Sequence, residues 1–294
     1  MDFHNFSESF CIFASVDNYQ SGFMQFFGYE ISKKERRSYP YKVGLALSGG
    51  GARGFAHAGA IQAMLEVGLK PEVVCGVSAG SVVAVMYAAG IQPRQMLRLF
   101  ESLSFGDLAS WTMPTSGGLF RLDKFKEFIR SVIKYERLEQ LPVPTVVCAT
   151  DFDSGQKVAF REGNIADCVA ASCCIPIVFR PQVIDGVRYV DGGVLANLPA
   201  WAIREECQFL AGVNCSPPSK EEPGDGMLDV ALRTYQLMAK NNVVSDMELC
   251  DMALSVDEIA KYKVFDLDGI EMVFDSGYRA AMEFFASKGV EPKK

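Results

Sequence analysis

The feature that most restricts the fold is an alternation of short apolar runs with helical segments, which begins at residue 42. Residues 43–47 form an apolar run that ends in glycines, as a strand buried in a parallel sheet does. Residues 52–67 have the pattern of a helix closed by Gly68, with Pro71 following. Strands that alternate with helices form parallel sheets with helices on both faces. The sequence therefore predicts an α/β fold with a mostly parallel sheet.

The same alternation continues towards the C-terminus. Further strands are predicted at residues 73–75, 145–149, 156–160 and 209–213, and further helices at 81–89, 93–103, 123–134, 228–241 and 270–287. In the last of these helices, one face is shared by Ile270, Val273, Gly277, Ala280 and Phe284. Residues 217–226 are predicted as an exposed loop rather than a boundary between domains.

Residues 1–41 differ from the rest and are predicted as an N-terminal extension to a domain that spans residues 42–294. Phe3, Phe6, Phe10 and Phe13 recur at helix-like spacing, and a charged run at 33–37 follows. Two interpretations stay open. One is an amphipathic segment that docks on a membrane or covers an active site. The other is an appendage packed on the domain or a poorly ordered segment, since aromatic stripes usually mark packing.

Composition restricts the classes of function. The chain has 294 residues, 49% of them hydrophobic, and a net charge of −7 that provides no general attraction to nucleic acid. It has nine scattered cysteines, which suit a reducing compartment, and only two histidines, His4 and His57, too few for an ordinary Cys/His zinc site. No apolar run approaches the roughly 18 to 20 residues that span a bilayer, and no signal peptide is recognised. We expect a cytoplasmic protein without metal or cofactor, with transient contact to a membrane surface as an open alternative. The oligomeric state is not predicted.

A glycine-rich loop follows the first predicted strand, Gly49-Gly50-Gly51-Ala52-Arg53-Gly54. It matches G-x-G-x-x-G, but no acidic residue ends the second strand and no Gly-Lys-Ser/Thr follows, so neither nucleotide-binding pattern is complete. Such a loop presents backbone N–H groups at a helix N-terminus, where they favour a phosphate or a reaction oxyanion. The alternative is a tight turn that needs residues without Cβ atoms.

The second predicted strand leads into Gly76-Val77-Ser78-Ala79-Gly80, a G-x-S-x-G sequence in the strand–turn–helix context that this motif requires. The flanking Gly76 and Gly80 let strand and helix approach closely. The motif predicts that Ser78 is a nucleophile, with the Ala79 N–H directed towards the same space. The alternative is that Ser78 is an ordinary N-cap of the helix.

A serine nucleophile needs a proton acceptor. His4 lies in the unplaced extension, and His57 lies one turn into the first helix, where packing or support of the glycine loop is the favoured role. A Ser-His-Asp triad is therefore not expected, and the best carboxylate candidate is Asp191, which follows a strand-like run and precedes Gly192 and Gly193. Asp-Gly is also a favoured turn sequence, so Asp191 alone does not decide the question.

In combination these motifs resemble the patatin-like phospholipases, in particular bacterial patatin-like proteins and the catalytic domains of neuropathy target esterase. Further matching sequences are Arg53-Gly54, His57-Ala58-Gly59, Ala149-Thr150-Asp151, Ala171-Ser172, Ile175-Pro176 and Asn197-Leu198-Pro199. The resemblance implies a three-layer α/β/α fold and a Ser78–Asp191 dyad without histidine. It also implies an oxyanion hole formed by the loop from Gly49 to Gly54, with Ala79 as a further donor.

By the same resemblance the expected substrates are acyl esters of phospholipids, lysophospholipids or neutral lipids. Three other functions stay open. The first two are a carboxylesterase for non-lipid esters and an acyltransferase of the malonyl-transferase kind, although the latter enzymes use a histidine after the serine and none follows His57. The third is a lipid-binding protein that keeps the fold without turnover.

Overall fold

The computed structural model describes residues 38–101, 103–112, 117–217 and 224–292. Almost all of the predicted N-terminal extension at residues 1–41 lies outside the described residues, and so does the centre of the predicted loop at 217–226. The division of the chain at residue 42 therefore stays a prediction.

The first half of the described chain contains β1 (Tyr41–Leu47), α1 (Phe55–Glu66), β2 (Val73–Val77), α2 (Ala79–Ala88), α3 (Pro93–Phe100), α4 (Phe105–Leu108), β3 (Ser110–Trp111), β4 (Gly118–Arg121) and α5 (Asp123–Val132). The second half contains β5 (Thr145–Asp151), β6 (Gln156–Phe160), α6 (Ile165–Ser172), β7 (Ile177–Phe179), β8 (Gln182–Ile184), β9 (Val187–Asp191), β10 (Cys207–Asn214), α7 (Met227–Met247), β11 (Met252–Ser255) and α8 (Ile270–Ser287).

The large sheet is mostly parallel. Strands β11, β10, β1, β2 and β5 lie side by side in this order, and each adjacent pair is parallel. Strand β6 pairs antiparallel with β5, and β8 and β9 form an antiparallel hairpin. The carboxyl ends of β1 and β2 therefore meet at the same end of the sheet, and both the glycine loop and the serine elbow begin there.

Strand β5 carries two strands on one of its edges. Residues 147–148 of β5 pair with both β2 and β6, and residues 149–151 pair with both β6 and β9. Because β6 occupies one edge throughout, β2 and β9 share the other edge and run towards each other. The last paired residue of β2 is Val77, opposite Cys148, and the last of β9 is Asp191, opposite Ala149. This register brings the ends of two distant chain segments together.

Alternate residues of the strands face two separate hydrophobic cores. Val74 and Val147 belong to the larger core, which also contains residues of α1, α2, α3 and α8. Cys75 and Cys148 belong to the smaller core, where residues 198–203 and Val243 of α7 cover the sheet. Helical layers therefore lie on both faces of the sheet, and the predicted three-layer α/β/α fold is confirmed.

Several details differ from the sequence-based expectations. Helix α3 ends at Phe100 rather than at residue 103, and the first predicted helix begins with a 3₁₀ turn, Gly51–Gly54. The buried face of α8 contains Ile270, Val273 and Gly277 as predicted, but it continues through Ala281 and Phe285, while Ala280 and Phe284 are only partly buried. The small second sheet formed by β3, β4 and β7 was not predicted, since its strands are only two to four residues long.

Candidate active site

The elbow after β2 holds Ser78 in a backbone conformation that is rare for a residue with a side chain. Ser78 has φ 52° and ψ −126°, in the positive-φ region where steric cost falls on any Cβ atom. Helix α2 starts at the next residue, so Ser78 occupies its N-cap position, but its side chain caps no N–H group. The alternative that the Ser78 hydroxyl serves as the N-cap of the helix is therefore wrong, and the hydroxyl is available for another role.

The two glycines of the elbow allow the close contact that this turn needs. A Cβ atom at Gly80 would collide with the carbonyl oxygens of Leu47 and Ser48 at the end of β1. A Cβ atom at Gly76 would collide with the Gly80 carbonyl itself. The first turn of α2 therefore lies directly against β1 and the start of the glycine loop.

The main chain of Ser78 is fixed by two other serines. Its N–H donates to Ser172 Oγ (2.8 Å), and the Ser172 hydroxyl donates in turn to the Cys148 carbonyl of β5 (2.6 Å). Its carbonyl accepts from Ser81 Oγ (2.6 Å). Ser172 belongs to the Ala171-Ser172 sequence, but its spacing along the chain gave no sign of this bridge, which depends on the packing of α6 against the sheet.

The glycine loop contributes fewer free donors than the sequence predicted. The Gly49 N–H donates to the Asn197 carbonyl (3.0 Å), and the Ala52 N–H donates to the Val264 carbonyl (2.7 Å). These two N–H groups are therefore engaged within the fold, which corrects their assignment as oxyanion donors. Within the described part of the chain, the N–H groups of Gly50, Gly51 and Ala79 have no acceptor. Gly51 itself has φ 59°.

Arg53 supports the loop from behind and is buried. Its guanidinium donates to the carbonyls of Tyr262 (2.7 Å), Pro217 (3.1 Å) and Ala260 (3.1 Å). The side chain thus connects the glycine loop to the segment before α8 and to the segment that follows β10. Its role in the described structure is structural, rather than that of an anion-binding group.

The only described histidine forms hydrogen bonds with neither Ser78 nor Asp191. His57 is fully buried in α1, with Nε2 2.8 Å from the Ser48 carbonyl and Nδ1 3.3 Å from Cys215 Sγ. Burial lowers the pKa of its imidazole to about 4, so the ring is neutral at physiological pH. His57 supports the start of the glycine loop, as the sequence suggested, whereas His4 lies outside the described residues.

The carboxyl group of Asp191 is buried close to Ser78. Its Oδ1 accepts from the Gly193 N–H (2.8 Å), and its Oδ2 has no hydrogen-bond partner among the described residues. Burial raises the pKa of Asp191 to about 6, while the Gly193 N–H and the nearby hydroxyls of Ser78 and Tyr235 lower it. A carboxylate with this pKa is a better proton acceptor than an exposed aspartate and is still ionised at neutral pH.

Polar side chains of α7 hold the segment that follows Asp191. Asn242 donates from Nδ2 to the Gly193 carbonyl (2.9 Å) and accepts at Oδ1 from the Asn197 N–H (2.8 Å). Asp246 accepts from the Trp201 N–H (2.9 Å).

Tyr235 lies on the same helix with its hydroxyl next to Gly193 and to the Asp191 carboxyl group. None of these residues was predicted from the sequence. A signal was available, because these polar side chains recur at helical spacing along a helix that also carries the apolar residues Ala239 and Val243.

Two cavities meet at Ser78. The first has a volume of about 160 Å³ and is almost entirely apolar; its lining includes Phe55, Val82, Met86, Phe100, Phe125 and Phe179. The second has a volume of about 80 Å³ and is more polar; its lining includes Asn197, Ser216, Arg233, Tyr235 and Lys240. Gly51, Ser78, Ile175 and Val264 belong to both linings, so the serine hydroxyl lies at the junction.

Two further properties of the described residues bear on binding. No cluster of three or more His, Cys, Asp or Glu side chains there has the arrangement of a metal site. In the same part of the chain, none of the helices combines the length and the apolar character needed to cross a membrane.

A three-layer α/β domain with a strained serine elbow at the carboxyl end of its parallel strands defines the class of protein. The patatin-like phospholipase family model matches residues 45–203, more than half of the chain, and the chain belongs to this family. The resemblance stated from the motifs is thereby confirmed.

Two relatives agree with this assignment, and one solved structure agrees with the fold. An uncharacterized NTE family protein of Mycobacterium tuberculosis is 36% identical over 191 residues, which cover 61% of this chain and 48% of that protein. Patatin-like phospholipase domain-containing protein 6 of Mus musculus is 29% identical over 168 residues, 54% of this chain and 12% of that protein. The chain thus spans about half the length of the mycobacterial relative. The crystal structure of VipD from Legionella pneumophila matches in fold, with a TM-score of 0.56, 16% identity, and coverage of 88% of this chain and 72% of that chain.

Proposed function

We propose that the protein is a serine acyl hydrolase that cleaves carboxylic ester bonds of lipids through a Ser78–Asp191 dyad. The observation that carries the proposal is the meeting of β2 and β9 on one edge of β5. It sets a strained, uncapped serine beside a buried carboxyl group whose Oδ2 has no partner among the described residues. Family membership supports the reaction class, since the family is named for phospholipase activity.

In the proposed reaction, Ser78 Oγ attacks the ester carbonyl carbon while its proton passes to Asp191 Oδ2. The N–H groups of Gly50, Gly51 and Ala79 stabilise the oxyanion, because they are the donors of the loop and elbow that have no acceptor among the described residues. The C–O bond to the alcohol then breaks, and the alcohol leaves with the proton from Asp191. Water attacks the acyl-enzyme by the same route and releases the carboxylic acid.

The apolar cavity supports a lipid acyl chain as the group that is transferred. Its walls come from α1, α2, α3, α5 and the loop around Phe265, and it opens at Ser78. Phe105 and Phe265 belong to its lining, and Phe105 packs edge-to-face against both Phe265 and Phe120. Burial of each additional CH₂ group contributes about 0.8 kcal/mol, so a cavity of this kind favours long-chain over acetyl esters.

The proposal is tested by labelling and hydrolysis with the same set of proteins. We expect a fluorophosphonate to label the wild-type protein and Asp151→Asn, but not Ser78→Ala. We expect Asp191→Asn to lose hydrolysis of long-chain acyl esters by about 10³-fold or more. Asp151 is the matched control, because it ends β5 in the same sheet but lies outside both cavities.

Four outcomes would contradict the proposal. Hydrolysis that survives Ser78→Ala would assign the reaction to another group. Full activity in Asp191→Asn would remove the dyad. A folded wild-type protein that is neither labelled nor active would indicate a lipid-binding protein without turnover. Transfer of the acyl group to an added alcohol in preference to water would indicate an acyltransferase instead.

A further inference from the structure

The polar cavity beside Ser78 differs in charge from the molecule as a whole. The chain is acidic, with 36 Asp and Glu against 29 Lys and Arg. Yet the described lining of this cavity contains Arg53, Arg233 and Lys240 and no carboxylate. An acidic protein that collects cations around one small cavity concentrates positive potential there, and this attracts anions.

Two of these cations are not committed within the described fold. Arg53 donates to the carbonyls of Tyr262, Pro217 and Ala260 and is held in place. Arg233 and Lys240, by contrast, form no ion pair with any described carboxylate. They lie two helical turns apart on α7, so both can contact one ligand group that enters the cavity.

The charges of Arg233 and Lys240 do not serve the proposed base. The pKa of Asp191 is raised by burial and lowered by the Gly193 N–H and the hydroxyls of Ser78 and Tyr235, and no arginine or lysine is among its causes. A cation placed to keep Asp191 ionised would lower that pKa. Arg233 and Lys240 therefore line the cavity without acting on the proposed base.

The two cavities also differ in a way that matches the two parts of an ester, the acyl chain and the alcohol. The apolar cavity has no charged lining residue among those described, so it suits the acyl chain. The cationic cavity shares Ser78 and Gly51 with it and so lies where the alcohol portion projects from the reacting carbonyl. With an interior of about 80 Å³, it suits a compact polar group rather than a second acyl chain.

We propose that Arg233 and Lys240 bind an anionic group of the phosphate class on the leaving alcohol, and so select charged over neutral acyl esters. This inference rests on the proposed hydrolase function and assigns a specificity role to α7, a helix outside the matched family region at residues 45–203. Guanidinium and ammonium groups bind phosphate by charge-assisted hydrogen bonds. A phosphate-bearing alcohol can come from a dissolved ester or from a lipid surface, and the experiment separates the two.

The test compares hexanoyl glycerol with hexanoyl glycerol phosphate, which carry the same acyl group and are used at concentrations where both are monomeric. The readout is the ratio of kcat/KM for the phosphorylated ester to kcat/KM for the neutral ester. We expect the wild-type ratio to exceed one, and to fall about 10-fold or more in the Arg233→Gln/Lys240→Gln double variant. Arg98→Gln is the matched control, since Arg98 is an exposed arginine of α3 that lines neither cavity, and it should keep the wild-type ratio.

A second measurement does not depend on turnover of the charged ester. Glycerol phosphate should slow fluorophosphonate labelling of the wild-type protein, whereas glycerol at the same concentration should not. The double variant should lose this protection, and Arg233→Lys, which keeps the charge, should retain part of it.

The outcomes separate this inference from the proposed function. If neither ester is hydrolysed and the serine is not labelled, the hydrolase proposal itself fails. If both esters are hydrolysed with a ratio near one, or if the double variant lowers both rates equally, the cationic site is overturned while the hydrolase stands. If the preference arises only when anionic vesicles are added, the two residues bind a lipid surface and the site for a leaving group is overturned.

Discussion

The proposed nucleophile and its proposed base differ in how their side chains are held. Ser78 is fixed through its main chain: its φ is 52°, its N–H is bonded to Ser172 and its carbonyl to Ser81. Asp191 has φ −50° and ψ 133° at the end of β9; its N–H donates to the Cys174 carbonyl (2.9 Å), and its carboxyl group is fixed in addition by the Gly193 N–H. The Ser78 side chain thus caps no helix and can turn towards a substrate in the proposed reaction, while the proposed base is held at its carboxyl group.

The largest expected effects concern the glycine that lies two residues after each of them, Gly80 after Ser78 and Gly193 after Asp191. We expect Gly80→Ala to prevent folding or to cost more than about 4 kcal/mol, because the new Cβ meets the main-chain carbonyls of Leu47 and Ser48, which cannot withdraw. Gly193→Ala should cost less, since its Cβ meets the ends of the Tyr235 and Asn197 side chains, which can turn away. Urea unfolding of both variants measures this, and equal losses would contradict the comparison.

The pH dependence of stability reports how Asp191 is buried. Its pKa is about 6 in the folded protein against 3.8 for an exposed aspartate, so the folded state retains the proton more strongly. Stability therefore falls as pH rises from about 4 through 6, by on the order of 3 kcal/mol in total. Asp191→Asn should be more stable than wild type at pH 7 and lose that advantage below pH 4. Parallel curves of unfolding free energy against pH would show that Asp191 is not buried in this way.

Removal of the Ser172 hydroxyl tests how strongly the main chain of Ser78 depends on the hydrogen bonds that hold it. Ser172→Ala leaves both the Ser78 N–H and the Cys148 carbonyl buried without a partner, which should cost about 1–3 kcal/mol. We also expect kcat to fall by about 10-fold with KM little changed, since the elbow is no longer held. Ser131→Ala, at an exposed serine bonded only to its own helix, serves as the control and should change neither quantity.

Tyr235→Phe, which changes the surroundings of the Asp191 carboxyl group, should produce the smallest effect. Removal of a hydroxyl that lowers the pKa of Asp191 should move the acidic limb of the kcat/KM profile to higher pH. We expect a loss of about two- to threefold at pH 6 and little change at pH 8. A loss that is the same at every pH would give Tyr235 a role in packing rather than in tuning the carboxyl group.

Sequence reasoning succeeded where chemistry and local pattern coincide. The apolar run before Ser78, the glycines around it and the alternation of strands and helices each predict structure from neighbouring residues. Asp191 was indicated only by the resemblance to the family, and its role stays a proposal. The register of β9 on β5 could not be predicted, because it joins residues 149 and 191 through pairing that short strands do not encode.

The residues that hold the site in place could not be predicted from the sequence either. Ser172 and Asn242 act through hydrogen bonds to main-chain groups of remote segments, and any serine or asparagine in those helices would have looked the same. The division of the glycine loop into engaged and free N–H groups depends on Val264 and Asn197, which approach it only in the folded chain. Tertiary packing, rather than local propensity, decides which of several equivalent groups is left available.

The shared edge of β5 has a consequence for how this site tolerates change. The distance between the Ser78 hydroxyl and the Asp191 carboxyl group is set by the positions at which β2 and β9 pair with β5, where the rise is about 3.3 Å per residue. It is not set by the length of chain that joins the two residues. Insertions and deletions in the outer loops between the two strands can therefore accumulate without altering that spacing, whereas a slip of one residue in a single short hairpin would disable the site.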